Sequence, residues 1–188
     1  LTARWRMDTL CRLMSPDLPL TIEPKRLARN GEVIAGQYAI HDMQRLGGLL
    51  HDQTGQVIFR LEFTFDERRN IPFISGEIKA QVKIQCQRCL GGMELKINNP
   101  VYLGIVADCA ESITLPDGCE PLQTGEASLS LQGMIEDELI LALPISAMHN
   151  ANVCKATELI NEINNKTGDS PFAALDKLTR KSCTNRRN

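Results

Sequence analysis

Val57-Ile58-Phe59-Arg60-Leu61-Glu62-Phe63-Thr64-Phe65 decides the fold. Val57, Phe59, Leu61, Phe63 and Phe65 point one way, and Ile58, Arg60, Glu62 and Thr64 point the other. Strict period two with β-branched and aromatic residues predicts a half-buried strand. Downstream, past a charged turn at residues 66–70, the same alternation returns within residues 74–84. There Ile78, Ala80, Val82 and Ile84 oppose Glu77, Lys79, Gln81 and Lys83. Residues 95–97 and 101–106 supply a third strand and a fourth. Short links between alternating runs predict an antiparallel meander with one solvated face.

Helical patterns flank this sheet. Upstream, residues 18–23 alternate as a short strand, Lys25 to Arg29 form a basic turn or helix, and Asn30-Gly31 marks a turn. Ile40, Met43, Leu46 and Leu50 then recur at helical spacing and predict an amphipathic helix of about three turns. Downstream, residues 108–126 hold five acids, two prolines and two glycines without a Lys or Arg, and read as an exposed acidic loop. Residues 128–131 are strand-like. Residues 133–143 are helical, with Ile135, Leu139 and Leu143 on one face. Glu136, Asp137 and Glu138 read as a solvated run matched to the helix dipole, and Pro144 stops the helix. One helical turn is expected at residues 159–163 and a last short helix at 171–178. The fold class is therefore α+β: an antiparallel sheet flanked by a few helices, in one domain.

The chain has 188 residues, 21 basic against 23 acidic, 43% hydrophobic. That length suits one domain, and the composition is that of a globular protein rather than a disordered or collagen-like one. A near-neutral balance excludes binding nucleic acid by total charge, but not by a local basic patch. Residues 1–17 read as an N-terminal extension containing Met7 and Met14 as alternative starts. Residues 18–181 are the domain, and 182–188 a basic disordered tail. Residues 1–12 lack the apolar core and cleavage site of a secretory signal. No apolar run is long enough for a spanning helix. A cytoplasmic protein is expected. Seven cysteines are too odd a number, in too large a chain, for a disulfide framework, so reduced thiols or a metal site are expected.

Cys86-Gln87-Arg88-Cys89 is the sharpest local feature. Two thiolates at this spacing can hold a tetrahedral Zn²⁺ from a tight turn, given a second ligand pair. His149 and Cys154 offer that pair, provided that the helix and Pro144 return their loop to the strand end. Three readings stand side by side: one structural Zn²⁺, a redox dithiol, or two hairpin cysteines without function. The redox reading requires a helix starting at the first cysteine in a βαβ setting, and the surrounding pattern is antiparallel. His41 and His51 read as surface residues. No nucleophile elbow, P-loop or dinucleotide fingerprint is present, so no enzyme is expected. Basic residues cluster at Lys25, Arg26 and Arg29, at Lys79, Lys83 and Arg88, and at Lys177, Arg180, Lys181, Arg186 and Arg187. Lys79, Lys83, Arg88, Lys177, Arg180 and Lys181 are candidate contacts to RNA phosphates, against the plainer reading of solubilising charge.

Three blocks together carry a resemblance: Ile84-Gln85-Cys86-Gln87-Arg88-Cys89-Leu90; Ile135-Glu136-Asp137-Glu138-Leu139-Ile140-Leu141-Ala142-Leu143-Pro144 with His149 and Cys154; and Ser170-Pro171-Phe172-Ala173-Ala174-Leu175. With the opening Leu18-Pro19-Leu20-Thr21-Ile22 they resemble the YceD family of large ribosomal RNA subunit accumulation proteins, over about residues 18–181. The resemblance implies a role in synthesis, processing or stability of large-subunit (23S) ribosomal RNA, and no catalytic residues. The implied partners are that RNA or an assembly intermediate, with ribosomal proteins as the alternative, and neither membrane nor DNA. In that alternative the chain is a zinc-stabilised module that binds ribosomal proteins through its acidic loop.

Overall fold

A computed structural model describes residues 18–107, 115–124 and 128–165. Two compact units divide the chain, one ending at Ala147 and the next starting at Met148. The first is an α+β unit. Its elements run β1 (Thr21–Ile22), α1 (Pro24–Asn30), β2 (Val33–Ala39), a 3₁₀ turn (Ile40–Asp42), α2 (Gln44–Gly47), β3 (Gln56–Asp66), β4 (Ile71–Gln85), β5 (Gly92–Val106), β6 (Glu120–Gln123), β7 (Leu129–Ser130) and α3 (Leu131–Ala142).

Five strands form one sheet in the order β2-β3-β4-β5-β6, and β1 pairs with β7 in a small second sheet. The predicted alternation of β3 is observed: Val57, Phe59, Leu61 and Phe63 are all buried while Ile58, Arg60, Glu62 and Thr64 are exposed. Phe65 is half-buried, and the Arg29 guanidinium lies 5.3 Å from its ring centroid, a cation–π contact. The β4 face formed by Ile78, Ala80, Val82 and Ile84 joins the same core, with Ile97, Val101, Leu103 and Ile105 of β5. α1 packs on β3 and β4 through Leu27 and Ala28, and α3 on β5 through Met134, Ile135 and Leu139. Each large apolar side chain buried here contributes about 1.5–3 kcal/mol, which makes this one-sided core the main source of stability.

Local chemistry fixes the turns. Pro24 begins α1, where its missing N–H is not needed, and Gly31 ends it in the left-handed region at φ 63°. Ser130 caps α3, its Oγ accepting the Gly133 N–H at 3.1 Å. Gly76 faces Leu61 across the β3–β4 pair, where an added Cβ would lie 2.0 Å from the Arg60 carbonyl oxygen. Only glycine permits that approach.

Several expectations need correction. The sheet is not purely antiparallel, because β6 runs parallel to β5. β6 also lies inside the stretch read as an acidic loop, of which residues 108–114 and 125–126 fall outside the described ones. Residues 95–97 and 101–106 belong to one 15-residue strand, not two. β2 was not expected at all. Val33 and Gln37 are exposed and its other five residues half-buried, so no buried face alternates with a solvated one. The three-turn helix at residues 40–50 is instead a 3₁₀ turn and one turn of α-helix, cut short by Gly47-Gly48. Ile40, Met43 and Leu46 still plug the core, so the apolar spacing was correct and the helix length was not.

The second unit contains α4 (Thr157–Asn165), longer than the single turn expected. Leu159, Ile160 and Ile163 are exposed on it. The N-terminal extension, the 171–178 helix and the basic tail lie outside the described residues.

Candidate metal centre

β4 ends at Gln85, and the chain reverses over residues 86–91 before β5 starts at Gly92. The turn is closed by the Cys86 N–H donating to the Gly91 carbonyl at 2.9 Å and the Leu90 N–H donating to the Cys86 carbonyl at 2.9 Å. Gln85 Nε2 adds a bond to the Leu90 carbonyl at 3.2 Å. Leu90 occupies the left-handed region at φ 57°, a conformation that costs a leucine about 1–2 kcal/mol. The Gln87 N–H donates to the Ala147 carbonyl at 2.8 Å, which ties this turn to the segment that follows α3.

In the second unit His149 precedes a turn in which the Val153 and Cys154 N–H groups both donate to the Asn150 carbonyl, at 2.9 and 3.1 Å. The Thr157 N–H then donates to the Cys154 carbonyl at 3.0 Å as α4 begins. Cys86 and Cys154 are buried, and Cys89 and His149 half-buried.

The four residues predicted as ligands converge. One ligand atom from each of Cys86, Cys89, His149 and Cys154 lies within 4.8 Å of every other. In a tetrahedral site with Zn–S bonds of about 2.3 Å, sulfurs sit about 3.8 Å apart. Three soft thiolates and an imidazole form a donor set that suits Zn²⁺. Cys86, Cys89 and Cys154 are thiols, as is Cys119. No helix begins at Cys86, so the setting required for a redox dithiol is absent at this turn.

Of the candidate RNA contacts, Lys79, Lys83 and Arg88 are among the described residues. Lys79 and Lys83 stand on the solvated face of β4, as expected, yet each meets a carboxylate of this chain. Lys79 Nζ lies 2.6 Å from Glu77 and Lys83 Nζ 3.1 Å from Asp52. Arg88 belongs to the cysteine turn. Lys177, Arg180 and Lys181 lie outside the described residues. The hydroxyl and N–H of Thr54, and then Lys83, hold the Asp52 carboxyl at about 2, below its ordinary 3.8. His41 and His51 are exposed, as expected.

The Glu136-Asp137-Glu138 run needs the largest revision. α3 starts at Leu131, so these acids lie past its first turn and the helix dipole does not account for them. Glu136 is buried, not solvated. Its Oε1 accepts the N–H of fully buried Leu46 at 2.9 Å, and its Oε2 accepts from Arg45 Nε at 3.1 Å. Arg45 also donates to Asp137, and to the Gly133 carbonyl at 3.1 Å. Glu138 accepts from Asn99 Nδ2 at 3.1 Å. Burial raises the Glu138 carboxyl above its ordinary value, the Asn99 bond opposes this, and Glu120 and Asp137 add to the rise. The run is therefore a clasp holding α2 and β5 to α3, the helix that leads to Ala147 and the cysteine turn. Arg45 and Asn99 carried no motif that could have revealed this, because their partners are distant in sequence.

A family model described as large ribosomal RNA subunit accumulation protein YceD matches residues 74–179. A protein of Haemophilus influenzae named large ribosomal RNA subunit accumulation protein YceD is 29% identical over 172 residues, covering 87% of this chain and 97% of that one. No solved structure matches. Among the described residues, no helix is long and apolar enough to cross a membrane.

Proposed function

The chain belongs to the YceD family, and from that membership we propose that it is a non-catalytic factor in the accumulation of large-subunit ribosomal RNA. The observation that carries this reading is the family match over residues 74–179. We place its action in the synthesis, processing or stability of 23S RNA, in the cytoplasm where ribosomes assemble. The partner is the RNA or an assembly intermediate, through Lys79, Lys83, Arg88, Lys177, Arg180 and Lys181 as phosphate contacts. One structural Zn²⁺ held by Cys86, Cys89, His149 and Cys154 fits the donor set. Such an ion would fix the β4–β5 turn and the His149 turn in one geometry, coupling metal binding to folding.

A second reading has specific support. Both sheet lysines are engaged by this chain's own carboxylates, so the stripe offers phosphate less positive charge than its sequence suggests. Under that reading the chain is a zinc-stabilised module that captures basic ribosomal proteins through its acidic segment.

Depletion of the protein in its native cell tests the first reading, with large- and small-subunit ribosomal RNA measured together. A selective fall in the large-subunit RNA is expected. An unchanged ratio overturns the proposed role. Replacing Asp108, Glu111, Asp117 and Glu126 by their amides, which leaves β6 in the sheet, separates the partner classes: loss of ribosomal-protein capture with RNA association retained favours the second.

A further inference from the structure

Among the described residues β2 is an edge strand with an open ladder. The Phe63 N–H donates to the Glu32 carbonyl at 2.9 Å, and the Ile40 N–H to the Gly55 carbonyl at 3.2 Å. In the β2–β3 register these bonds assign Ile34, Gly36 and Tyr38 to the residues that bond β3. The N–H and C=O groups of Val33, Ala35 and Gln37 therefore point away from β3. Among the described residues they have no hydrogen-bond partner.

Exposed edges are normally protected by lysine, proline, a bulge or a covering element. β2 reads Val-Ile-Ala-Gly-Gln-Tyr-Ala, with no charge and no proline, and it pairs with β3 residue for residue without a bulge. Apolar surface adjoins it. Val33 on the edge strand and Ile58 beside Gln37 on β3 are 41% and 47% exposed. On the other face a groove of about 340 Å³ runs beside the strand, lined by the apolar Leu18, Ile22 and Ile34 together with the charged Glu23, Arg26 and Glu32.

We propose that this edge pairs with the β2 edge of a second copy of the chain, antiparallel about a two-fold axis at Ala35, joining two five-stranded sheets into one of ten. The uncharged edge offers no attraction to a basic or an acidic partner strand, and it is complementary to itself. With Ala35 opposite Ala35, Val33 lies opposite Gln37, and every outward N–H of one copy meets an outward C=O of the other. No like charges become direct neighbours: Glu32 falls opposite Tyr38. The two Arg60 side chains, each beside its own Ala35, are three strand spacings apart, about 14 Å. That exceeds the screening length of about 8 Å at physiological salt. Val33 and Ile58 are then covered, across Gln37, by their counterparts. The Tyr38 of the second copy falls on the groove side of the sheet beside Glu32. Such an interface is isologous and closes at two subunits.

Sedimentation of the full chain over a range of concentrations tests this. The wild type is expected to associate reversibly to a dimer by about 100 µM, since a strand edge is a small interface. Ala35→Pro removes both donors at the axis while leaving the β3 ladder intact. It should raise the dimer Kd by about thirtyfold or more. Ala35→Lys and Ala35→Glu each oppose like charges at the axis and should both sediment as monomers with wild-type circular dichroism. Mixing those two variants should restore a dimer. A wild type that stays monomeric throughout overturns the proposal, as does a dimer indifferent to Ala35→Pro and Ala35→Lys. A Lys/Glu mixture that stays monomeric rules out the axis at Ala35.

Discussion

Replacing Glu136 tests whether the acidic run is a buried clasp or a solvated helix face. Glu136→Ala removes the acceptor for the Leu46 N–H, which then stays unpaired beside a residue with no solvent exposure. An orphaned buried donor costs about 1–3 kcal/mol. The ion pair adds less, because the Arg45 side chain is 55% exposed and keeps Asp137 and the Gly133 carbonyl. The expected loss is therefore about 1–3 kcal/mol, set by the orphaned donor. Glu136→Gln preserves an acceptor for Leu46 and loses only the charge, so it should cost about 1 kcal/mol. Urea denaturation at neutral pH with unchanged m-values measures both. A combined Arg45→Met Glu136→Gln variant closes the cycle and isolates the pair. If Glu136→Ala costs under about 0.5 kcal/mol, Glu136 behaves as a surface residue and the clasp is wrong. Equal costs for Ala and Gln would show that the charge, not the Leu46 acceptor, matters.

Four further outcomes follow from the geometry. Protein purified without chelators should contain one zinc per chain, and Cys86→Ser or Cys154→Ser should abolish it; a fully folded, metal-free wild type would remove the zinc from the proposal. Gly76→Ala should cost several kcal/mol, more than the 1 kcal/mol or so typical of point changes, because its Cβ would be driven against the Arg60 carbonyl; a thermal melt close to wild type would contradict that. The Asp52 carboxyl should titrate near 2 by NMR. Since its folded value is depressed, the stability it contributes is present above 3.8 and lost as pH falls through about 2, and Lys83→Met should move the titration upward. Changing Lys79, Lys83 and Arg88 to Glu should sharply weaken salt-sensitive association with ribosomal particles, measured by co-sedimentation at several salt concentrations; unchanged association would exclude the stripe as the contact.

Some of this was already determined by the order of residues. The alternation in Val57 to Phe65 and in Ile78 to Ile84 defines two strands and the buried face of each, because a one-residue slip would expose every apolar side chain. The cysteine spacing likewise confines two thiols to one turn, whatever surrounds them. Other features exist only in three dimensions. β2 carries no clean period, since none of its residues is fully buried, and only its register with β3 reveals it. The same register exposes the Val33, Ala35 and Gln37 ladder. A parallel strand within an acidic stretch has no local signature, because β6 joins β5 through backbone pairing and its side chains carry no buried face. Glu136 looks like any helix-surface acid until the fold places the Leu46 N–H and Arg45 against it. The metal cluster lies between these cases. Its ligand types were legible in the chain, but that one atom of each lies within 4.8 Å of the others was not. Proximity between residues some sixty positions apart is a property of packing, which no local pattern encodes.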